Sequence, residues 1–201
     1  MTSSHSIRCR CGKLQGEVSH PELGTRAVCY CRDCQAFAHF LGSRQDILDA
    51  LGGTEIVAVA PRWVSFTGGK EELVCMSLTE QGMLRWYAGC CRTPIGNTPR
   101  DPKLSHVGLI HACLRASTGT LNDSFGPVRM RVNRLSAKGR PAATPVAGLA
   151  IAMLRYLGLL AWSRVSGKYK QNPFFSAATG RPHVEPYVLN KAEHEKLQRA
   201  V

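Results

Sequence analysis

The sequence AVCYCRDCQAF, residues 27–37, contains three cysteines within six positions: Cys29, Cys31 and Cys34. Cysteines two positions apart are too close to bridge each other without strain, and the chain has nine cysteines, an odd number. A short Cys-x-Cys or Cys-x-x-Cys turn instead delivers two sulfurs to one ion, while its backbone amides solvate the thiolate charge. This stretch therefore predicts a metal–thiolate site.

Two further cysteine groups flank this triplet. Cys9 and Cys11 stand upstream in IRCRCGKL, and the vicinal pair Cys90-Cys91 stands downstream in AGCCRTPIGN. One tetrahedral zinc ion takes four ligands, so the seven clustered sulfurs exceed what one ion needs. The spacing therefore predicts one or two zinc ions per chain.

The composition is typical of a globular protein. The chain has 201 residues, of which 44% are hydrophobic and 20% charged, and this is enough to bury a sizeable core. The N-terminal sequence MTSSHSIRCRC lacks the pattern of a secretory signal, so we expect a reducing, cytoplasmic location without stable disulfides. The formal net charge of +12 predicts anionic partners.

The order of these cysteine motifs resembles that of the glutathione-dependent formaldehyde-activating enzyme family, which also includes centromere protein V. The resemblance covers roughly residues 7–100 and rests on Cys-x-Cys-Gly, Cys-x-Cys-x-x-Cys and a later cysteine loop ending near Thr-Pro. It implies a mainly β, Mss4-like (β-tent) fold built of small antiparallel sheets that hold zinc. It also implies a carbon–sulfur lyase that joins a small thiol such as glutathione to an aldehyde such as formaldehyde, giving S-hydroxymethylglutathione.

The resemblance also implies a role for each cysteine group. One zinc would be structural, with Cys9, Cys11 and Cys91 among its ligands. The other would be held by the triplet of residues 29–34, and its open coordination position would receive the substrate thiol. On this interpretation Cys29, Cys31 and Cys34 are the catalytic residues, as ligands of the open site.

The third motif departs from the family pattern. The expected Cys-x-x-Cys-Gly reads Ala-Gly-Cys-Cys-Arg here, with Ala88 in place of the first cysteine and Arg92 in place of the glycine. Either Cys90 is the fourth ligand or the site has three, because a vicinal pair needs a sharp turn to aim both sulfurs at one ion. Gly89 would permit such a turn. The isolated Cys75 and Cys113 are other candidates, although each is more typical of a small buried hydrophobe.

The rest of the sequence predicts a mainly β body with a helical C-terminal part. Short apolar runs such as EIVAVA, ELVCMSL, GMLRWYAG and HVGLIHACL indicate strands, and GSRQDILDALGG, residues 42–53, indicates a short helix with a Ser43–Asp46 capping box. We expect residues 1–140 to form a zinc-binding β domain. Residues 141–201 would form a helical extension packed on it.

The extension contains three recognisable features. After Thr144-Pro145, the nearly apolar run of residues 146–165 predicts a helix, either buried or at a homodimer interface rather than spanning or lying on a membrane. The pair Phe174-Phe175 predicts an anchor on the β body, and Asn190 with Glu193 predicts a capped final helix.

The strongest basic cluster is RMRVNRLSAKGR, residues 129–140, which contains five basic side chains and no acidic one. It has three interpretations: a clamp for the carboxylates of glutathione, a contact with nucleic-acid phosphates, or a solvated edge strand that discourages aggregation. His39, five positions after Cys34, is a further candidate, as a zinc ligand or general base, although a structural role is more common.

Two functions follow, and the sequence favours the first. The chain is a zinc-dependent carbon–sulfur lyase or synthase, or it is a non-catalytic module that zinc staples together and that binds nucleic acid or a protein. The fourth position of the triplet site distinguishes them: left open by the protein it supports catalysis, and filled by the protein it supports a staple.

Overall fold

The protein is described by a computed structural model over residues 4–114, 120–144 and 146–201. Within these residues the chain forms two β-sheets and five α-helices. The strands are β1 Ser4–Arg8, β2 Gln15–Ser19, β3 Thr25–Cys29, β4 Thr54–Val59, β5 Val64–Gly68, β6 Leu73–Ser77, β7 Leu84–Ala88, β8 Pro94–Thr98, β9 Val107–Ile110, β10 Met130–Val132 and β11 Tyr187–Val188. The helices are α1 Arg32–Leu41, α2 Arg44–Ile47, α3 Leu121–Phe125, α4 Val146–Val165 and α5 Lys191–Arg199.

The smaller sheet is antiparallel, in the order β1-β2-β5, and the larger sheet has the order β10-β3-β4-β9-β8-β7-β6-β11. Every inner pair of the larger sheet is antiparallel, whereas each edge strand, β10 and β11, runs parallel to its neighbour. The prediction of a mainly β body with a C-terminal helix is therefore confirmed.

The main core is built by strands whose side chains alternate between two faces. In β7, Leu84 and Trp86 are fully buried in one apolar cluster, while Tyr87 packs on the aromatic rings of α1. The indole of Trp86 donates a hydrogen bond to Thr98 Oγ1 at 3.0 Å, so its one polar group is satisfied. The alternation read from GMLRWYAG is thus that of a strand between two packed layers.

Helix α1 was not predicted, and it is the element that carries the end of the cysteine triplet. It begins directly after Cys31 and ends before Gly42, whose backbone has the left-handed φ of 74° typical of a helix C-terminus. Its positions Cys34, Phe37 and Leu41 are buried on one face. The predicted helix over residues 42–53 was too long, because α2 stops at Ile47 and Ser43 makes no capping hydrogen bond.

The C-terminal residues contribute to the core and to the larger sheet. Phe174 and Phe175 are buried against Trp86, which confirms the predicted aromatic anchor. The predicted cap of the last helix is also confirmed: Glu193 N–H donates to Asn190 Oδ1 at 3.0 Å, and Asn190 N–H donates to Glu193 Oε2 at 2.9 Å. Phe174 and Phe175 thus belong to the same core as the β body.

Helix α4 differs from the buried helix that the sequence predicts. Several of its large apolar side chains, including Leu154 and Val165, are mostly exposed. The physical reason is that only one side of the helix meets the body, whereas the sequence is apolar around almost the whole circumference. Pro145, predicted to start the helix, lies outside the described residues. Among the residues that the structure describes, no helix combines the length and apolarity that crossing a membrane requires.

Candidate metal centres

Four cysteines from two distant parts of the chain form one cluster, here called the tetrad: Cys9, Cys11, Cys90 and Cys91. The Sγ of Cys11 lies 3.5 Å from that of Cys9 and 3.3 Å from that of Cys90. Cys90 Sγ is 3.8 Å from Cys9 Sγ and 3.9 Å from Cys91 Sγ. Sulfurs bound to one tetrahedral zinc at about 2.3 Å lie about 3.8 Å apart. The tetrad therefore has the donor type, number and spacing that zinc requires.

Two hairpin turns bring the tetrad together. Cys9 and Cys11 lie in the turn from β1 to β2, and the vicinal pair lies in the turn from β7 to β8. Gly12, with a left-handed φ of 81°, allows the first turn to reverse, and Leu14 N–H donates to Cys9 Sγ at 3.3 Å. Backbone donation to sulfur favours a thiolate, the form that binds metal.

The turn that aims both vicinal sulfurs inward uses Arg92 rather than Gly89. Arg92 has a left-handed φ of 57°, and its N–H donates to Ala88 O at 2.7 Å, whereas Gly89 has no positive φ. This is the position at which the resemblance leads one to expect glycine. The backbone conformation is therefore one that glycine favours, and an arginine adopts it at some cost.

The side chain of Arg92 reaches from this turn to the end of α1. Its Nε donates to Leu41 O at 3.2 Å, its Nη2 donates to Phe40 O, and its guanidinium lies 5.0 Å from the centre of the Phe40 ring. Orphan carbonyls at a helix C-terminus favour a cation. These contacts offset the backbone strain and join the tetrad to the helix that bears the other cluster.

Hydrogen bonds prepare Cys91 to bind metal. Burial by itself would raise the pKa of this thiol, but hydrogen bonds from Thr93 and Cys11 lower it to about 6. Arg10 N–H donates to Thr93 Oγ1 at 2.9 Å, and the Thr93 hydroxyl, 3.1 Å from Cys91 Sγ, can then donate to the thiolate. These hydrogen bonds therefore favour the Cys91 thiolate, the form that binds metal.

The second cluster, here called the triad, contains Cys29, Cys31 and Cys34, whose sulfurs all lie within 4.8 Å of one another. Cys29 is the last residue of β3, Cys31 is the N-cap of α1, and Cys34 lies in the first turn of that helix. Cys34 N–H donates to Cys31 Sγ at 3.4 Å. The N-terminus of a helix favours negative charge, so the strand-to-helix junction suits thiolates.

The donor set of the triad fits zinc with three protein ligands. Among the described residues, no histidine, cysteine, aspartate or glutamate joins these three sulfurs as a fourth donor. His39, predicted as a possible ligand, is not brought into the group, and its Nε2 is buried without a hydrogen-bond partner. Burial also lowers the pKa of His39. The isolated Cys75 and Cys113 likewise lie in the apolar core, and burial raises the pKa of each to about 12.

Two polar side chains contact the triad. Asn133 Nδ2 donates to Cys29 Sγ at 3.3 Å. Arg85, only 4% exposed, places Nη1 4.0 Å from Cys34 Sγ and Nη2 3.8 Å from Asp33 Oδ2. The triad is therefore held between a neutral donor on one side and a buried cation on the other.

Hydrogen bonds also divide the charge within the triad. The pKa of Cys29 is lowered because its sulfur accepts hydrogen bonds from Cys31 and Cys34. The pKa values of Cys31 and Cys34 are raised, first because each hydrogen-bonds to Cys29. Within the triad, Cys29 is therefore the thiol that ionises most readily.

The basic segment, residues 129–140, runs alongside the triad. Its strand β10 pairs in parallel with β3 in a register that places Val132 opposite Cys29. Tyr30 N–H donates to Val132 O at 3.1 Å, and Gln35 Nε2 donates to Ser136 O at 3.0 Å. The cluster that the sequence identifies as the most basic is thus next to the candidate open site.

Sequence reasoning missed Arg85 and Asn133. The sequence could have identified Arg85, because it lies between two large apolar residues, Leu84 and Trp86, in a predicted strand. Side chains alternate along a strand, so Arg85 points to the face of the sheet opposite to theirs. Asn133 has a left-handed φ of 55°, which is common for asparagine, but nothing in the sequence pairs its strand with β3.

A family model matches most of the chain. A model described as a family of unknown function (DUF6151) matches residues 1–185 of the chain. No curated protein matches the chain.

Proposed function

Because this chain belongs to the DUF6151 family, whose function is unknown, we propose its activity from the triad. We propose that it is a zinc-dependent carbon–sulfur lyase or synthase that adds a small thiol to an aldehyde and catalyses the reverse cleavage. The observation that carries this proposal is a group of three thiols to which no fourth protein donor belongs among the described residues. A catalytic zinc site typically has three protein ligands and one position for water or substrate.

The proposed reaction is balanced without a redox partner. The thiol sulfur forms a bond to the aldehyde carbon, the π bond of the carbonyl breaks, and the thiol proton ends on the former carbonyl oxygen. When bound, zinc would hold the substrate sulfur and keep it deprotonated at neutral pH. With glutathione and formaldehyde as substrates, the product is S-hydroxymethylglutathione, as the resemblance implies.

The chain's own residues would hold and orient this centre. Asn133 donates to Cys29 and so fixes the direction of its sulfur lone pairs. Arg85 places its positive charge beside Cys34, which partly balances the charge of three thiolates. Both side chains therefore favour the metal-binding form of the triad.

The basic segment supports an anionic thiol as substrate. Its pairing with β3 places a run without acidic side chains beside the triad. Guanidinium groups bind carboxylates through paired, charge-assisted hydrogen bonds. A thiol that carries carboxylates, as glutathione does, therefore complements the positive charge of this segment better than a neutral thiol does.

We further propose that the two sheets and two thiol clusters constitute an Mss4-like (β-tent) fold. Two antiparallel hairpin turns meeting at the tetrad support this assignment. In this arrangement the tetrad is the structural site, with Cys90 as its fourth ligand. The triad is the open site.

A second function is supported by the same basic segment. A zinc-stapled module could use it to bind nucleic-acid phosphates, which need positive charge but no open metal position. The aromatic side chains that stack on unpaired bases are absent from residues 129–140, so single-strand recognition is not favoured.

The test combines metal content with an exchange assay. Protein purified without added metal is analysed for zinc, and nuclear magnetic resonance then follows the exchange of ¹³C-labelled formaldehyde with its glutathione adduct. We expect two zinc ions per chain and an exchange rate at least about tenfold above the uncatalysed rate, since general catalysis of this kind contributes about 10²-fold or more. A fully metal-loaded protein that leaves the exchange rate unchanged would exclude the activity.

Substitutions in the two clusters separate their roles. Cys31→Ser should lose one zinc and the exchange activity while remaining folded, whereas Cys9→Ser should lower the free energy of unfolding in urea, because the tetrad joins two hairpins. Cys75→Ala, which removes an isolated buried thiol, is the control and should keep both metals. Equal unfolding of the Cys31 and Cys9 variants would contradict this division.

A further inference from the structure

Helix α4 presents an apolar half to solvent. Met153, Leu154, Leu157, Trp162 and Val165 are between 44% and 84% exposed. With 3.6 residues per turn, these positions fall on one half of the helix circumference. Isolated apolar side chains on a surface are ordinary, but a contiguous patch of this kind marks a surface that contacts another molecule or phase.

The opposite half of the helix is fixed to the body. The ring of Tyr156 meets that of His106 edge-on with 5.2 Å between centres, and Ser163 is fully buried. Leu159 lines a cavity of about 220 Å³ together with Trp63. The orientation of α4 is therefore set by contacts, and its apolar half faces outward.

Positive charge lies at the C-terminal end of this apolar half. Residues 124–184 contain ten lysines and arginines and no aspartate or glutamate. Arg164, Lys168 and Lys170 are exposed at the end of the helix, and Lys168 Nζ lies 6.0 Å from the centre of the Trp162 ring. An indole beside cations, next to aliphatic side chains, is the combination found where proteins meet the headgroup region of a bilayer.

We propose that α4 docks flat on the surface of an anionic lipid bilayer. Its apolar half would enter the boundary between headgroups and acyl chains, and Arg164, Lys168 and Lys170 would contact lipid phosphates. This surface lies outside the triad, so the proposal does not depend on the thiol activity.

Charge and apolarity together favour a bilayer over the other occupants. A second copy of the chain would cover the apolar half but would offer Arg164, Lys168 and Lys170 no acidic partner from its own residues 124–184. Nucleic acid would neutralise the charges but would leave the apolar half in water. An anionic bilayer satisfies both features of the surface.

The test is flotation of the metal-loaded chain of 201 residues with lipid vesicles. We expect binding to vesicles of phosphatidylcholine mixed with phosphatidylglycerol, little binding to phosphatidylcholine alone, and weaker binding at high salt because the charges are then screened. The double variant Leu154→Ser/Val165→Ser should reduce the bound fraction about tenfold, since it removes two exposed aliphatic side chains from the docking face. The control Met83→Ser/Leu104→Ser removes two exposed apolar side chains elsewhere and should bind normally.

Tryptophan fluorescence gives a second measurement. Trp86 is fully buried and Trp63 is half-buried, whereas Trp162 is 57% exposed, so transfer of Trp162 into the headgroup region should shift the emission to shorter wavelength. Trp162→Phe should remove this shift while leaving vesicle binding largely intact.

Equal binding of the Leu154→Ser/Val165→Ser variant and the original chain would overturn the proposal. A dimer in lipid-free solution that this same variant dissociates would assign the surface to a second copy, and tighter binding to duplex DNA than to anionic vesicles would assign it to nucleic acid.

Discussion

Arg92 shows how a single residue can keep a backbone shape while changing its chemistry. Its φ of 57° is a conformation that glycine adopts freely, and that non-glycine residues adopt at a cost of about 1 kcal/mol. The long side chain returns stability by capping the carbonyls of Phe40 and Leu41. The turn of the tetrad therefore depends on a side chain that contacts no sulfur.

This balance predicts an order of stability for two variants. Arg92→Ala keeps the backbone strain and loses the capping hydrogen bonds and the ring contact, so the free energy of unfolding should fall by about 1–3 kcal/mol. Arg92→Gly loses the same contacts but relieves the strain, so it should be about 1 kcal/mol more stable than the alanine variant. Urea unfolding of both variants measures the difference. An alanine variant as stable as the glycine variant would mean that the backbone at this position is unstrained.

For individual residues, the sequence predicts which cysteines group together better than it predicts which other side chains contact them. The spacing of the cysteines predicts two metal–thiolate groups, because the sulfurs needed by one ion arrive on short turns. Whether Cys90 joins its group depends on the φ of Arg92, and no local pattern predicts a left-handed arginine. Arg85 and Asn133 reach the triad from strands that are distant in sequence, so only the sheet topology brings them there.

Among the elements, strands were easier to predict than the helix that matters most. Strand β4 is apparent from its run of β-branched residues. Helix α1, in contrast, starts inside the cysteine motif, where the spacing of the cysteines indicates metal ligands and the helical periodicity of the apolar residues is not obvious. The first turn of α1 contains Cys34 and its cap is Cys31. In the sequence, these cysteines indicate metal ligands but not the helix to which they belong.

Helix α5 gives a prediction that concerns an element. Its capping box satisfies the N–H of Glu193 with Asn190 Oδ1, so Asn190→Ala should lower the free energy of unfolding by about 1 kcal/mol. Asn190→Asp retains an acceptor at the same position and is the matched control, which should stay near the original stability. Thermal unfolding followed by circular dichroism measures both variants. Equal losses would show that the cap is not what the alanine removes.

For the whole molecule, a half-buried histidine packed against α4 predicts how stability depends on pH. Burial lowers the pKa of His106 from 6.5 to about 4. Between these pH values the histidine is protonated in the unfolded chain but neutral in the folded protein. The free energy of unfolding is therefore unaffected by this group above about pH 6.5 and falls as the pH is lowered toward 4. We expect His106 to contribute a loss on the order of 1–3 kcal/mol over this interval.

The variant His106→Gln isolates this contribution. Acid also protonates metal-binding thiolates, but that effect is common to both proteins, so the difference between their pH profiles reports His106 alone. Urea unfolding at a series of pH values should give a flatter profile for the variant. Parallel profiles would mean that His106 titrates normally in the folded protein.

At this scale the sequence predicts class but not assembly. It predicts a mainly β body with a helical extension, because periodicity is local. It does not predict that β10 and β11 close the two edges of one sheet in parallel, since such pairs join residues far apart in the chain. The exposure of α4 was not predicted for the same reason. An apolar sequence indicates that a helix is buried, but which side of the helix packs on the body depends on tertiary contacts.

The parallel pairing of β11 with β6 also has a consequence for the order in which the protein matures. Residues 187–201 are translated after both cysteine clusters, yet α5 in this stretch holds α1 through hydrogen bonds that Arg32 donates to Gln198. While the polypeptide is still being translated, the helix that bears Cys34 therefore lacks its final cover. During that interval the thiols of the triad are therefore less protected from oxidants than in the folded protein.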